Sequence, residues 1–334
     1  MAKRPSGGAA PRRIDVHHHI YPPNYTKANI DWIVNDARNK PAREYLSWRP
    51  SRSLEDMDKN GVETSLASIT SPGIWTGNRR LSRKWARDVN EYGAQLAIDY
   101  PGRFGMMAAL PLPDVEGSLA EIEHAFDVLG VDGIGLMTNY GSKLLGDPLF
   151  APIMRELNRR KAKVFVHPTS QPCCQEINPY VNAPLMEFPF DTTRTIISLA
   201  YSGTLNRCPN IRFIFCHGGG TLPFLAGRIA GMIRQNLTPA KAKQWFPRGL
   251  IHELAKQHYD IVSVTERPAM EAVRAIIPTE KLLLGSDLPF RNMGMTLGPM
   301  EKLGFTKRER KMIERDNALK LFPRFKTAPA KAAR

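Results

Sequence analysis

The chain has 334 residues, of which 42% are hydrophobic and 24% charged, and it carries a formal net charge of +15. Apolar segments recur along the whole length, which excludes a disordered chain, and no apolar run reaches the eighteen residues typical of a membrane span. Eight positive charges lie in the first 13 and last 11 residues, which leaves about +7 for the remainder. No helix-turn-helix or zinc-finger pattern occurs, so we expect no specific nucleic-acid partner.

The cysteines and the start of the chain bear on the compartment. The four cysteines lack zinc-ribbon spacing and are too few for a disulfide framework; they are Cys173, Cys174, Cys208 and Cys216. The first residues, MAKRPSGGAAPRR, contain no apolar segment of the kind found in secretory signals. We therefore expect reduced thiols and a cytoplasmic protein.

Short apolar runs alternate with helical patterns along the chain. Eight runs predict strands, over residues 14–19, 62–70, 104–111, 133–138, 163–167, 212–217, 259–264 and 281–287. Seven patterns predict helices, over residues 82–99, 115–129, 148–160, 191–206, 223–235, 268–277 and 307–321. This alternation is typical of parallel strands joined by right-handed crossovers, and eight such units in about 300 residues predict a (β/α)8 barrel.

The alternative α/β architecture is a doubly wound open sheet. No glycine-rich dinucleotide fingerprint follows the first strand, which argues against that alternative. Residues 21–56 are predicted to be an insertion over the mouth of the barrel. We expect one domain over residues 13–323, with tails at 1–12 and 324–334.

In a barrel of this type, the chemistry takes place at the C-terminal ends of the strands. Five of the eight histidines lie at three of the predicted strand ends, and an aspartate lies at a fourth. These residues are His17, His18 and His19 on strand one, His167 on strand five, His217 on strand six and Asp287 on strand eight.

The histidine triplet predicts a pair of metal ligands. Residues i and i+2 of a strand face the same side, so His17 and His19 face together while His18 faces away. A single histidine is more often a buried core residue, but His167 and Asp287 are expected to converge on the same point. The set predicts one divalent metal ion, with Zn²⁺ as the first choice and Mn²⁺ as the alternative.

Several motifs resemble those of the amidohydrolase superfamily, over nearly everything from Ile14 to Pro323. They are IDVHHHIYPP, VFVHP, FIFCHGGGTLPFLAGRI, LLLGSDLPF and NALKLF. Two further segments, NEYGAQLAIDYPGRFGMMAALPLPD and FPFDTTRTIISLAYSGTL, are similar to one branch of that superfamily. This branch contains the aminocarboxymuconate-semialdehyde, γ-resorcylate and 5-carboxyvanillate decarboxylases, and the 6-methylsalicylate decarboxylase type is the most similar.

The resemblance implies roles for single residues. His17, His19, His167 and Asp287 match the metal ligands, and His217 matches a histidine beside the metal and its bound water. Strand four, GIGLMTNY, has no lysine at its end, which favours one metal ion over two. The acid that protonates the substrate carbon stays open between Asp287 and His217.

The resemblance also implies a substrate-binding arginine and a homodimer. Arg228 lies eleven residues after His217, and an arginine at this spacing in the family reaches into the neighbouring subunit's site. There it holds the substrate carboxylate, for which a guanidinium offers two parallel hydrogen bonds. Arg49 and Arg52, in the insertion, are alternatives for the same task.

The sequence favours a metal-dependent, non-oxidative decarboxylase. Its expected substrate is an aromatic hydroxy acid such as 6-methylsalicylate, or a related muconate-like carboxylate. The same ligands could serve a hydrolase, a lactonase or a hydratase, because one scaffold supports several reactions. A binding protein that has kept the barrel without its chemistry is the third possibility.

Overall fold

A barrel of eight parallel strands forms the centre of the molecule. The structure is a computed structural model that describes residues 12–37, 41–171, 174 and 180–327. The strands pair in chain order, β1 with β2 through to β7 with β8. They are β1 Arg13–His19, β2 Val62–Ser68, β3 Phe104–Ala109, β4 Gly133–Met137, β5 Lys163–His167, β6 Arg212–Phe215, β7 His258–Asp260 and β8 Leu282–Leu283. The predicted (β/α)8 barrel is confirmed.

The chain after β8 brings the last strand against the first. The amide of Val16 donates to Leu284 O at 3.0 Å, and the amide of Asp287 donates to His17 O at 2.8 Å. A third bond, from the His19 amide to Leu288 O, is 2.8 Å long. The barrel is thereby nearly closed, and residues at the two ends of the sequence become neighbours.

Helices lie between the strands and after the last one. They are α1 Pro23–Ala28, α2 Ile30–Ala37, α3 Ala42–Leu46, α4 Pro50–Lys59, α5 Arg79–Asp99, α6 Val115–Glu123, α7 Ala151–Arg159, α8 Glu187–Tyr201, α9 Thr204–Arg207, α10 Leu222–Asn236, α11 Pro239–Trp245, α12 Leu250–Ala255, α13 Arg267–Ile276, α14 Gly294–Met300, α15 Lys307–Lys311 and α16 Asn317–Leu321. Among the described residues, no helix is both long and apolar enough to span a membrane.

Some elements differ from their predicted bounds. β7 and β8 are shorter than expected, because the chain leaves the ladder before Ser263 and Asp287, where φ is +57° and +62°. The single helix predicted over residues 191–206 is two helices, α8 and α9, separated by Gly203 at a φ of +74°. A positive φ does not fit a right-handed helix, and glycine adopts it at low cost.

The insertion after β1 is helical, and it consists of α1 to α4. Tyr21 and Tyr45 in this region are buried, and their rings lie 6.3 and 6.0 Å from that of Phe290, which follows β8. The hydroxyl of Ser71, after β2, donates to the carboxyl of Asp36 on α2. The insertion therefore packs beside the C-terminal ends of β2 and β8.

The C-terminal segment closes the other end of the barrel. Phe165 and Met107 belong to an apolar cluster that also contains Phe322 and Phe325. Phe325 is 1% exposed, and Arg324 forms an ion pair with Asp132. Residues 324 and 325, which we expected to belong to a tail, thus pack against the barrel, and the Phe325 ring covers part of its interior. Residues 328–334 and 1–11 lie outside the described part of the chain.

Candidate metal centre and active site

A register shift in β1 sets the direction of the histidine triplet. The pairing of β1 with β2 is irregular between Asp15 and His18. Val16 belongs to the same apolar cluster as Phe165, yet the ring of the next residue, His17, also lies 5.1 Å from Phe165. An extra residue in one strand re-aims the side chains that follow, and such bulges are common next to active sites.

His17 and His19 face one another, and His18 turns away, as the alternation predicts. The Nε2 atoms of His17 and His19 are 3.1 Å apart. His18 instead lies between Asp15 Oδ2 at 3.1 Å and Ser53 Oγ at 2.8 Å. Its buried hydrogen bonds support a structural role for the middle histidine.

The Nδ1 atoms of three buried histidines are held by other groups. His167 Nδ1 lies 2.8 Å from Pro168 O, and a carbonyl oxygen can only accept, so this nitrogen carries the proton. His17 Nδ1 lies 2.8 Å from Asp260 Oδ2, and the carboxylate accepts in the same way. With Nδ1 protonated, Nε2 of a neutral imidazole keeps a lone pair for a metal ion.

His19 is oriented through a hydroxyl. Its Nδ1 lies 3.2 Å from Ser68 Oγ, and that hydroxyl donates to the carbonyl oxygen of His18 at 3.4 Å. Because the Ser68 proton is used on this carbonyl, the oxygen accepts from His19 Nδ1. The Nε2 atom of His19 therefore also presents a lone pair.

Asp287, which follows β8, is the fourth member of the group. Its Oδ1 atom lies 3.4 Å from His17 Nε2 and 3.3 Å from His19 Nε2, yet it is buried and forms no hydrogen bond. One ligand atom from each of His17, His19, His167 and Asp287 lies within 4.8 Å of the others. The structure thus brings the four predicted ligands together.

This donor set fits a divalent cation. Metal–nitrogen and metal–oxygen bonds of about 2.0–2.2 Å in tetrahedral geometry place neighbouring ligand atoms roughly 3.4 Å apart. The separations of 3.1, 3.4 and 3.3 Å around His17 Nε2, His19 Nε2 and Asp287 Oδ1 are close to that value. Three imidazole nitrogens with one carboxylate oxygen suit Zn²⁺, and Mn²⁺ accepts the same atoms.

The protonation states also suit metal binding at neutral pH. Burial lowers the pKa of His19 to about 4, although Asp287 partly opposes this shift. Burial and the neighbouring His19 and His17 hold the pKa of His167 well below its ordinary value. Both imidazoles are therefore neutral near pH 7, which is the state that coordinates a metal.

The other two predicted ligands, His17 and Asp287, are the charged members of the group. Burial disfavours a protonated His17, but nearby acidic groups, Asp260 and Asp287 among them, outweigh burial and raise its pKa. Burial likewise disfavours the anion of Asp287, but His17 and His19 outweigh it and lower the pKa of this carboxyl well below its ordinary range. A negative carboxylate is thus available to neutralise a cation at this point.

Asp260 is a functional residue that sequence reasoning missed. It is fully buried at the end of β7, and besides His17 it accepts from the amides of His217 and Val262 at 2.9 and 3.0 Å. One carboxylate therefore positions a predicted ligand and the loop that carries His217. Asp260 is the second residue of the strand predicted over residues 259–264, so the prediction did not place it at a strand end; the observed strand ends at this residue.

His217 lies beside this group at the start of the glycine loop. Its Nε2 is 4.0 Å from Asp287 Oδ2, while its Nδ1 is buried without a hydrogen-bond partner. Gly220 allows the loop to pass close to α8, because a Cβ there would lie 2.0 Å from Pro189 O. The imidazole thus lies next to the Asp287 carboxylate and lines a cavity.

A cavity of about 520 Å³ opens above the four predicted ligands, a size that suits a small organic molecule. His167, His217 and Asp287 lie on its wall. Apolar side chains cover other parts of the wall, and they include Leu185, Phe188, Val264 and Phe290. The cavity thus combines apolar side chains with a cluster of nitrogen and oxygen donors.

Strained backbone marks the same cavity. Four described residues other than glycine have a positive φ, and three of them, His217, Ser263 and Asp287, line the cavity. Such conformations are costly for residues with a Cβ and concentrate at functional sites. Ser263 is therefore a further site residue, and the sequence carries no signal for it.

The predicted arginines lie outside the cavity wall. Arg49 is exposed and bonds to Ser51 Oγ at 3.1 Å. Arg52 bonds to Ser47 Oγ at 3.2 Å and lines an adjoining cavity of about 290 Å³. Their substrate-binding role stays a prediction.

Arg228 lies on α10, on a face that is exposed in the single chain. Among the described residues it has no hydrogen-bond or ion-pair partner. Phe224, one helical turn before it, is 85% exposed, and Met232, one turn after it, is 39% exposed. The arginine therefore does not reach the cavity of its own chain.

The match to known proteins agrees with this geometry. A family model described as Amidohydrolase matches residues 14–324. The chain belongs to the amidohydrolase family. This amidohydrolase is 34% identical to Decarboxylase macB of Penicillium terrestre, over 94% of this chain and 96% of the relative. It is 32% identical to 6-methylsalicylic acid decarboxylase acuB of Aspergillus aculeatus, over 95% and 98% of the two chains.

A solved structure shares the fold of this amidohydrolase. It is a dihydroxybenzoic acid decarboxylase from Polaromonas sp. JS666 with bound manganese and the inhibitor 2-nitroresorcinol, at a TM-score of 0.80 and 20% identity. The match covers 93% of this chain and 97% of the other. This structure supports the fold, while the curated relatives support an enzyme of the carboxy-lyase class within the amidohydrolase superfamily.

Proposed function

We propose that this amidohydrolase is a metal-dependent, non-oxidative decarboxylase of an aromatic hydroxy acid such as 6-methylsalicylate. One observation carries the proposal: three imidazoles and a carboxylate that can bind a metal ion converge beneath a cavity whose wall includes several apolar side chains. The names of the relatives point to the same reaction, and one of them specifies 6-methylsalicylic acid.

In this proposal, His17, His19, His167 and Asp287 hold one divalent cation. Zn²⁺ is the first choice, and Mn²⁺, which the Polaromonas structure contains, is the alternative. When bound, the cation stabilises negative charge on the carboxylate and the ortho oxygen of the substrate as a Lewis acid.

The side chains of the cavity supply the remaining requirements. Phe188 and Phe290 hold the ring and exclude water from the carbon that loses its carboxylate. This carbon gains a proton as the bond to the carboxylate breaks and carbon dioxide leaves. One of two candidates, His217 or Asp287, delivers this proton; their Nε2 and Oδ2 atoms lie 4.0 Å apart, and both residues line the cavity.

The assembly and location belong to the same proposal. The exposed face of α10 supports a homodimer in which Arg228 reaches the substrate carboxylate of the neighbouring subunit. The buried free thiols of Cys208 and Cys216 are compatible with a cytoplasmic enzyme.

The test is metal analysis of the purified protein together with carbon dioxide detection. The panel contains 6-methylsalicylate, γ-resorcylate and other hydroxybenzoates, and a chelated sample serves as the control. We expect about one divalent ion per chain and carbon dioxide from at least one acid, with activity lost on chelation and regained on metal return. Metal without carbon dioxide release, but with water addition or ring opening of a lactone, would assign the hydrolytic alternative instead.

The ligand set has its own matched test. His17→Ala and His19→Ala should each lose most of the bound metal, because each removes one of four donors. His18→Gln should keep it, because that side chain bonds to Asp15 and Ser53 instead. Elemental analysis of the folded variants measures this, and equal metal loss in all three would contradict the assignment.

A further inference from the structure

Arg291 lies on the wall of the cavity, four residues after Asp287. Its amide donates to Asp287 O at 3.1 Å, and this bond closes a tight turn that begins at Asp287. The side chain lines the main cavity together with Phe290 and Met295. Arg291 also lines the adjoining cavity, as Arg52 does, and therefore lies between the two cavities.

The protein provides few hydrogen-bond acceptors for the guanidinium of Arg291. Its Nε atom is buried and has no hydrogen-bond partner. One terminal nitrogen, Nη2, donates to Met295 O at 3.5 Å, which is a long bond. Among the described residues, no carboxylate forms an ion pair with Arg291. A buried donor of a charged group is costly to leave without an acceptor, which indicates that a bound molecule supplies one.

The charge pattern of the cavity singles out the same residue. Of the described residues on its wall, Arg291 is the one whose side chain is cationic at every accessible pH. The arginines that the sequence suggested lie elsewhere: Arg52 bonds to Ser47, and Arg228 lies on an exposed helix face. Among the described residues of the single chain, Arg291 therefore places the permanent positive charge on the cavity wall.

We infer that Arg291 binds a carboxylate of the substrate, which makes the ligand class an aromatic acid held at one edge by a guanidinium. This inference rests on the proposed function, and it names a specificity-determining residue of that same site. Nε and one terminal nitrogen of a guanidinium match the two oxygens of a carboxylate as parallel donors. The carboxylate is either the one that leaves or a second one on the ring, and the two are separable by experiment.

The experiment measures ligand binding to the metal-loaded enzyme by calorimetry. The probes are benzoate, with one carboxylate, isophthalate, with two, and phenol, with none. None of the three has a carboxylate with an ortho oxygen, so binding is read without turnover. Arg291→Gln should raise the Kd of isophthalate at least tenfold and leave that of phenol unchanged, and Arg291→Lys should fall between.

The Kd of benzoate shows which carboxylate Arg291 binds, the one that leaves or a second one on the ring. An equal rise in its Kd would show that Arg291 receives the single, reacting carboxylate, and an unchanged Kd would assign it a second carboxylate. Arg267→Gln is the matched control, because that arginine is exposed and pairs with Glu271 at 3.5 Å. It should leave all three Kd values unchanged.

The inference fails if Arg291→Gln binds both acids as tightly as the wild-type enzyme does. It also fails if the wild-type enzyme does not prefer isophthalate or benzoate over phenol. With a substrate that releases carbon dioxide, the same variant should raise KM while kcat changes little. If no acid releases carbon dioxide but acid binding still depends on Arg291, the proposed function is wrong and the carboxylate site stands.

Discussion

At the residue scale, Asp260 links the predicted ligands to the rest of the barrel. Its two oxygens take three donors, His17 Nδ1 and the amides of His217 and Val262. A carboxylate behind a ligating histidine fixes the ring orientation and increases the basicity of the nitrogen that faces the metal. In the metal site that we propose, Asp260 therefore acts as a positioning residue for the ligand His17.

This position yields a prediction for metal affinity. Asp260→Ala should weaken metal binding by about 10- to 100-fold, because His17 loses its fixed orientation and its anionic partner. Asp260→Asn should lose less, because an amide oxygen can still accept from the imidazole. Competition with a chromophoric chelator measures both, with circular dichroism to confirm folding. An Asp260→Ala enzyme that is folded and binds metal as tightly as the wild type would contradict this role.

A second residue, Asp36, lowers the free energy of unfolding by an amount that depends on pH. Burial raises the pKa of this carboxyl from 3.8 to about 6, and the hydrogen bond from Ser71 only partly offsets burial. A carboxyl with a raised pKa in the folded state destabilises that state once it ionises. The cost is absent below about pH 4, grows as the pH rises to 6 and is complete above it.

Asp36→Asn should remove this cost while keeping an oxygen that accepts from Ser71. We expect the variant to be more stable than the wild type by about 2 kcal/mol at pH 7.5 and by clearly less at pH 5. Denaturant unfolding at the two pH values measures the difference. Asp31→Asn, at an exposed position on the same helix, is the control and should change neither value. A pH-independent gain in Asp36→Asn would point to packing rather than charge.

At the scale of elements, the irregularity in β1 decides what the histidine triplet does. Strict alternation from Val16, which faces the barrel interior, would turn His17 outward. The register shift between Asp15 and His18 lets the His17 and His19 rings face inward together instead. The pair therefore depends on the pairing of β1 with β2 as well as on the i and i+2 spacing.

The other informative element is α10, whose outer face carries Phe224 and Arg228. An apolar ring that is 85% exposed beside an arginine without a described partner is typical of a surface that another protein covers. In the homodimer that we propose, a second copy of the chain covers this face and Arg228 approaches the cavity of that copy.

Phe224→Asp tests the homodimer. Burying a charge at the contact should shift the protein from dimer to monomer at micromolar concentration, with little change in the stability of each chain. Sedimentation velocity measures the mass. Ile98→Asp, on α5 at a position that is 68% exposed, is the control and should stay dimeric. A wild-type protein that sediments as a monomer at all concentrations would rule out the dimer.

At the scale of the whole molecule, the two ends of the barrel have different roles. At one end, Phe322 and Phe325 of the C-terminal segment pack into the barrel interior and seal it. At the other end, the strand termini carry the polar groups of the cavity and the insertion packs beside them. Stability and chemistry are thereby separated along the barrel axis, which is usual for this fold.

Much of this arrangement could be predicted from local patterns. The order of strands and helices follows from short-range periodicity, and parallel connection then places His17, His19, His167 and Asp287 at one end of the barrel. The resemblance in the same segments pointed to the amidohydrolase superfamily, which the family match over residues 14–324 confirms. These inferences needed only neighbours in sequence and the general geometry of the fold.

Other features depend on contacts between distant segments. Asp260 and His17 are separated by 243 positions, and only the closed barrel places their side chains 2.8 Å apart. The cavity wall formed by Arg291, Ser263 and Phe188 depends on the paths of loops after three different strands. Loop paths are set by packing and by left-handed backbone positions rather than by periodicity, so the arginine in the cavity became evident only in three dimensions.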